Sequence, residues 1–151
     1  MTDKIDETPE VDDSDSLEAH PWTRERLEKY RKVMEDGGFP YSFERSDLAA
    51  DLHARYGSLE PGDETGDVVT VAGRLKNIRN MGKLAFAVLS DVSGTIQLFV
   101  DQRTLGAEGF ADFTDLDGGD WVGATGEVIA TKRGELSVRI SSFTLLQKSL
   151  R

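Results

Sequence analysis

Phe86, Gln97, Glu135, Arg74, Arg79 and Lys83 are the side chains of this sequence with the most chemistry to offer, and that chemistry is recognition. A phenylalanine ring supplies a flat face for stacking. A glutamine amide supplies a donor and an acceptor together, and a carboxylate supplies acceptors. Guanidinium and ammonium groups meet anions, and guanidinium also stacks on rings. Each residue has a plainer reading too: Phe86 as core packing, Gln97 as a solvent-facing amide, Glu135 as a strand-end charge. Constellations for bond-making chemistry are missing. The chain has no cysteine and two histidines, His20 and His53, so a thiolate site, a cysteine nucleophile and a histidine-rich metal centre are excluded. Gly82-Lys83 precedes Leu84, not Ser or Thr, and forms no phosphate-binding loop of the Walker type. No catalytic residue, metal ligand or cofactor is assigned to this chain.

The elements that must position these residues follow from apolar spacing. Residues 1–20 hold eight acids and one base with almost no large apolar side chains, the composition of a disordered acidic tail. Residues 21–66 read as a helical lead-in of two helices. The first runs from a Thr23 cap to about Asp36, stopped by Gly37 and Gly38; a Gly38-Phe39-Pro40-Tyr41 turn follows. The second covers about Asp47–Tyr56, with Ser46 as N-cap, Gly57 as stop and Leu48, Leu52 and Tyr56 as its stripe. His53 lies beside that stripe and reads as a packing residue.

From residue 67 to 151 the period changes to two. Val69, Val71, Gly73 and Leu75 form one inward row, and Asn80-Met81-Gly82-Lys83 is a hairpin turn into Leu84–Ser90. Asp91-Val92-Ser93-Gly94 turns the chain into Thr95–Asp101, with Ile96, Leu98 and Val100 inward and Gln97 and Phe99 outward. Phe110 and Phe113 suggest a short helix within 102–119. Strands at about Trp121–Thr131 and Glu135–Phe143 complete the set, with Gly123 and Gly126 as sites for bulges or tight bends. Three consecutive strands, a helical connection and two more strands predict an all-β OB-fold, a five-stranded barrel, here with an N-terminal helical extension (α+β overall).

Such a barrel binds single strands on the face of its second and third strands, which needs aromatics, cations and base-edge readers. The formal charge of −10 argues against a phosphate-bearing partner until it is partitioned. Residues 1–20 carry −7, while 21–33, 68–100 and 121–151 are each +3. If those three segments meet, a basic face exists on an acidic protein. No apolar run approaches the ~20 residues of a membrane span, and the N-terminus has no secretory pattern, so a cytoplasmic protein is expected.

Several strings are similar to bacterial lysyl-tRNA synthetases: Val71-Ala72-Gly73-Arg74, Arg79-Asn80-Met81-Gly82-Lys83 with Phe86, Asp91-Val92-Ser93-Gly94-Thr95-Ile96-Gln97-Leu98, and Thr131-Lys132-Arg133-Gly134-Glu135-Leu136-Ser137. The resemblance covers about residues 22–151. Aspartyl- and asparaginyl-type relatives share the barrel; the Met-Gly-Lys and Gly-Glu-Leu-Ser strings favour lysine. It implies an anticodon-binding domain for a U-rich tRNA loop, with Phe86 stacking, Gln97 and Glu135 hydrogen bonding to bases and Arg79 a further contact. The family's class II catalytic domain, with its ATP, lysine and Mg²⁺ sites, is expected beyond Arg151 and would be this domain's partner. By itself the chain is expected to be non-catalytic, either a fragment or a free-standing paralogue. A sequence-tolerant single-strand binder and a dimerisation or protein-interaction module, with a homodimer possible, are the alternatives.

Overall fold

Val69, Val71 and Leu75 are buried along one side of β1, which runs Glu64–Asn80 and begins three residues before the expected boundary at 67. The structure, a computed structural model, describes residues 25–29 and 43–149. These belong to two separate units, the second being Pro40–Ser149. The acidic tail, the Thr23 cap, the Gly37-Gly38 stop and the turn at 38–41 lie outside or at the edge of the described residues. Of the expected first helix, residues 25–29 are helical, with Lys29 Nζ 3.9 Å from the Glu25 carboxylate.

In the second unit, β2 (Leu84–Asp91), β3 (Gly94–Asp101), β4 (Trp121–Ala130) and β5 (Leu136–Gln147) join β1 in a closed barrel of order β1-β2-β3-β5-β4. The five-stranded OB-fold expectation holds. Alternation explains the faces: Ala85, Ala87 and Leu89 of β2 and Ile96, Leu98 and Val100 of β3 point inward, so Phe86, Val88, Gln97 and Phe99 face out. β1 serves two neighbours. Its stretch up to Arg74 pairs with β4 and its stretch from Arg74 pairs with β2. The β3–β5 contact is parallel, Gln97 opposite Ser137, and such a contact requires a crossover connection.

That crossover carries two short helices, α2 (Gln102–Leu105) and α3 (Ala107–Thr114), before β4. Phe110 and Phe113 of α3 are buried in the same core as the barrel, and Phe113 meets Phe143 edge-on at 5.2 Å. Gly126 marks a register shift in the β4–β5 pairing, and a Cβ there would strike the Arg139 carbonyl and Ile140 Cα. Gly123 instead leaves room for the Phe43 ring. β5 continues to Gln147, beyond the expected end at Phe143.

The helix preceding β1, α1 (Ala49–Tyr56), buries Ala49 and Leu52 and ends at Gly57 as expected. Its start corrects the sequence reading. The N-cap is Leu48, because the Ser46 N–H and hydroxyl are engaged with Thr70 of β1. The orphan amides of the first turn find acceptors elsewhere: Leu48 N–H donates to Asp51, Ala49 N–H to Asp91 Oδ2 at 2.8 Å, and Ala50 N–H to Ser93 Oγ at 2.9 Å. The β2–β3 turn therefore caps this helix. His53 is exposed, not packed; its Nε2 lies 2.9 Å from the Thr95 carbonyl, which can only accept, so Nε2 carries the proton.

Candidate nucleic-acid interface

The outer face of β2 and β3 sets Phe86 opposite Phe99 and Val88 opposite Gln97. The two rings meet edge-to-face, 5.5 Å between centroids and 85° between planes. A register shift in β1 between Lys76 and Arg79, with Asn77 at φ 51°, re-aims the strand so that Arg79 pairs with Phe86. The Arg79 guanidinium carbon sits 5.4 Å from the Phe86 centroid. Asn77, Arg79, Phe86, Ala87, Val88 and Gln97 line one depression of about 450 Å³. Three sequence-derived candidates, Arg79, Phe86 and Gln97, thus share a site, with Phe86 half-buried on the outer surface and not in the core.

Gln97 is oriented by its neighbour on β5. Ser137 Oγ donates to the Glu135 carbonyl at 3.2 Å, so its oxygen must accept from Gln97 Nε2, 2.9 Å away. That leaves Gln97 Oε1 and one amide N–H for a ligand. The Glu135 side chain itself is exposed and lines a different depression, of about 270 Å³, with His53, Tyr56 and Gly134. Lys83 lines a third, with Met81, Asp101 and Arg103. Arg74 is not at the Phe86 site: its guanidinium carbon lies 5.0 Å from the ring centroid of Trp121.

Residues 69–146 match the tRNA anti-codon family, described as OB-fold nucleic acid binding domain. The chain belongs to that family. It is 45% identical over 130 residues to a lysine–tRNA ligase of Neisseria meningitidis, covering 85% of this chain and 25% of the relative. Lysine–tRNA ligases of Gloeobacter violaceus (44% identical, 84% of this chain, 27% of the relative) and Thermosynechococcus vestitus (46%, 83% and 26%) are similar to it as well. The chain spans about a quarter of the length of these relatives.

The charge distribution of this OB-fold domain departs from the sequence expectation. Two cations of the segment 121–151 are held by carboxylates: Arg139 by Glu127 at 2.6 Å and Glu64 at 3.1 Å, and Lys148 by Asp117 and Asp120 at 2.6 Å each. Burial lowers the pKa of Arg139, but hydrogen bonds to Glu127 and Glu64 more than offset it, and the guanidinium ends above its ordinary value. Arg74, Lys76, Arg79 and Lys83 make no ion pair among the described residues and are exposed, so β1 and its turn carry the basic surface. Ser137, Lys76 and Trp121 are the residues that sequence reasoning passed over. Alternation puts Lys76 in the outward row with Arg74, whereas Ser137 and Trp121 acquire their partners only through strand pairing. Among the described residues no group of three or more His, Asp or Glu side chains could hold a metal ion, and no helix is long and apolar enough to cross a membrane.

Proposed function

We propose that this domain binds a U-rich tRNA anticodon loop, stacking a base on Phe86 and reading its edge with Gln97. The observation that carries this reading is the single depression lined by Arg79, Phe86 and Gln97 on the outer face of β2 and β3, in a chain of a nucleic-acid-binding family. Uracil presents an N–H between two carbonyls. The free Gln97 Oε1 matches that N–H and the remaining amide N–H matches a carbonyl. The Arg79 guanidinium extends the stacking surface and faces the phosphates. Glu135, just before β5 in a different depression, accepts from a further base; Arg74 and Lys83 neutralise backbone further along.

In this reading the domain serves a lysine–tRNA ligase, as the names of its relatives suggest. ATP, Mg²⁺ and lysine belong to a catalytic domain that this one partners, in the cytoplasm. The test compares a stem-loop RNA carrying UUU with one whose central U is changed to C. Tighter binding of UUU is expected, and equal affinities favour sequence-tolerant single-strand binding instead. Phe86→Ala is expected to lose ~1–3 kcal/mol of binding with the fold intact; loss of folding would return Phe86 to the core.

A further inference from the structure

The arrangement at Phe86 occurs a second time on the same strand. Arg79 of β1 lies over Phe86 of β2, 5.4 Å from its centroid, and is its cross-strand neighbour. Arg74 of β1 lies over Trp121 of β4, 5.0 Å from its centroid, and is likewise its cross-strand neighbour. Both aromatics are on the outer surface, and Trp121 retains 38% of its exposure. Between the two pairs Lys76 projects outward, opposite Val88, which lines the Phe86 depression. From residue 68 to 90 the sequence has Arg74, Lys76, Arg79 and Lys83 and no acid. The outer side of β1 is therefore a cationic strip about 15 Å long at the ~3.3 Å rise of a strand, with an arginine-capped ring at each end.

We propose that Trp121 with Arg74 is a second stacking platform for single-stranded RNA, taking a nucleotide further along the strand than the base at Phe86, while Lys76 neutralises the phosphates between them. This rests on the RNA-binding reading above. A ring and a guanidinium plane both accept the face of a base, and guanidinium N–H groups remain available to phosphate. Stacking uses the π-face that all bases share, so this platform adds affinity and not base choice. The absence of carboxylates along the strip favours a polyanion over a protein surface as its occupant.

The chain has two tryptophans, so Trp22→Phe makes Trp121 the sole tryptophan, excited apart from the tyrosines at the red edge of the absorption band. In that full chain, the UUU stem-loop is expected to quench Trp121 fluorescence saturably. Trp121→Ala is expected to weaken binding about 5- to 150-fold with the UUU/UCU affinity ratio unchanged, and Trp121→Phe to restore most of the loss. RNA binding that discriminates UUU from UCU with no quenching overturns the platform and leaves the Phe86–Gln97 reading standing. Quenching that is equal for UUU and UCU, with weakening by Trp121→Ala, supports the platform and sinks the base-specific reading. Absence of both binding and quenching overturns both. Emission that shifts with protein concentration in the absence of RNA assigns Trp121 to contact with a second copy and overturns the proposal. The fluorescence measurement keeps its meaning if Trp121→Ala does not fold.

Discussion

Gln97 donates its amide N–H to Ser137 Oγ at 2.9 Å across the parallel contact of β3 and β5, and the Ser137 hydroxyl donates in turn to the Glu135 carbonyl. A side chain in the Phe86 depression is thereby held by the strand that begins directly after Glu135. The relay fixes which end of the Gln97 amide faces outward, and so which base edge it matches.

Ser137→Ala removes the acceptor that holds the amide. The UUU/UCU affinity ratio is expected to fall severalfold, while stability drops by only about 1 kcal/mol, the net worth of one hydrogen bond. Titrations of both stem-loops alongside a urea melt measure the two effects separately. An unchanged ratio would show that Gln97 needs no positioning.

Asp91 links the β2–β3 turn to the helix before β1. Burial raises its pKa, but hydrogen bonds from the Ser93 hydroxyl and from the Ala49, Ser93 and Gly94 amides outweigh burial, so the carboxyl sits below its usual range. A depressed folded pKa means that this stabilisation is complete above the ordinary carboxylate value of ~3.9 and is lost as pH falls through the lowered folded value. Asp91→Ala is expected to destabilise by about 1–3 kcal/mol at pH 7, and the gap from wild type should narrow below about pH 4. Denaturant melts at pH 7 and pH 3 check it; a gap independent of pH contradicts the ionised cap.

Lys148 is buried against two carboxylates, and Asp120, fully buried, also accepts from the Asp117 and Ser149 amides. Lys148→Met strands that charge and is expected to cost about 3–5 kcal/mol. Adding Asp120→Asn should recover part of the loss, because it removes the stranded charge while its one amide oxygen still accepts from one of the two backbone N–H groups. Stabilities that simply add would refute the coupling.

Gly126→Ala and Gly123→Ala should differ in severity. At Gly126 the added Cβ meets the backbone of Arg139 and Ile140, which cannot move without breaking the β4–β5 ladder; at Gly123 the nearest atoms it meets belong to the Phe43 ring, a side chain that can shift. Thermal melts should show Gly126→Ala the more damaging, by at least about 1 kcal/mol.

Much of this was legible along the chain. The period-two rows Val69-Val71-Leu75 and Ile96-Leu98-Val100 identified inward faces, and the turn residues Gly82 and Asp91-Gly94 identified the hairpins. The Ser46 cap failed because a nearer competitor, the Thr70 backbone, took the hydroxyl. The place of His53 beside an apolar stripe suggests packing, because helix position says nothing of the Thr95 carbonyl on a distant strand. The summed charge of 121–151 overstates its free cations, because Arg139 is paired with Glu127 and Glu64 and Lys148 with Asp117 and Asp120, three of those carboxylates lying outside the segment.

The succession of strands along the chain, the inward rows and the chemical identity of the readers follow from local periodicity and turn chemistry. Tertiary structure alone decided which of those readers share a surface. Arg79 reaches Phe86 through a bulge in β1, Gln97 is oriented by a serine 40 residues away, and Arg74 leaves that site for Trp121. Each of these depends on the register between paired strands, and a shift of one residue would turn every such side chain to the other face.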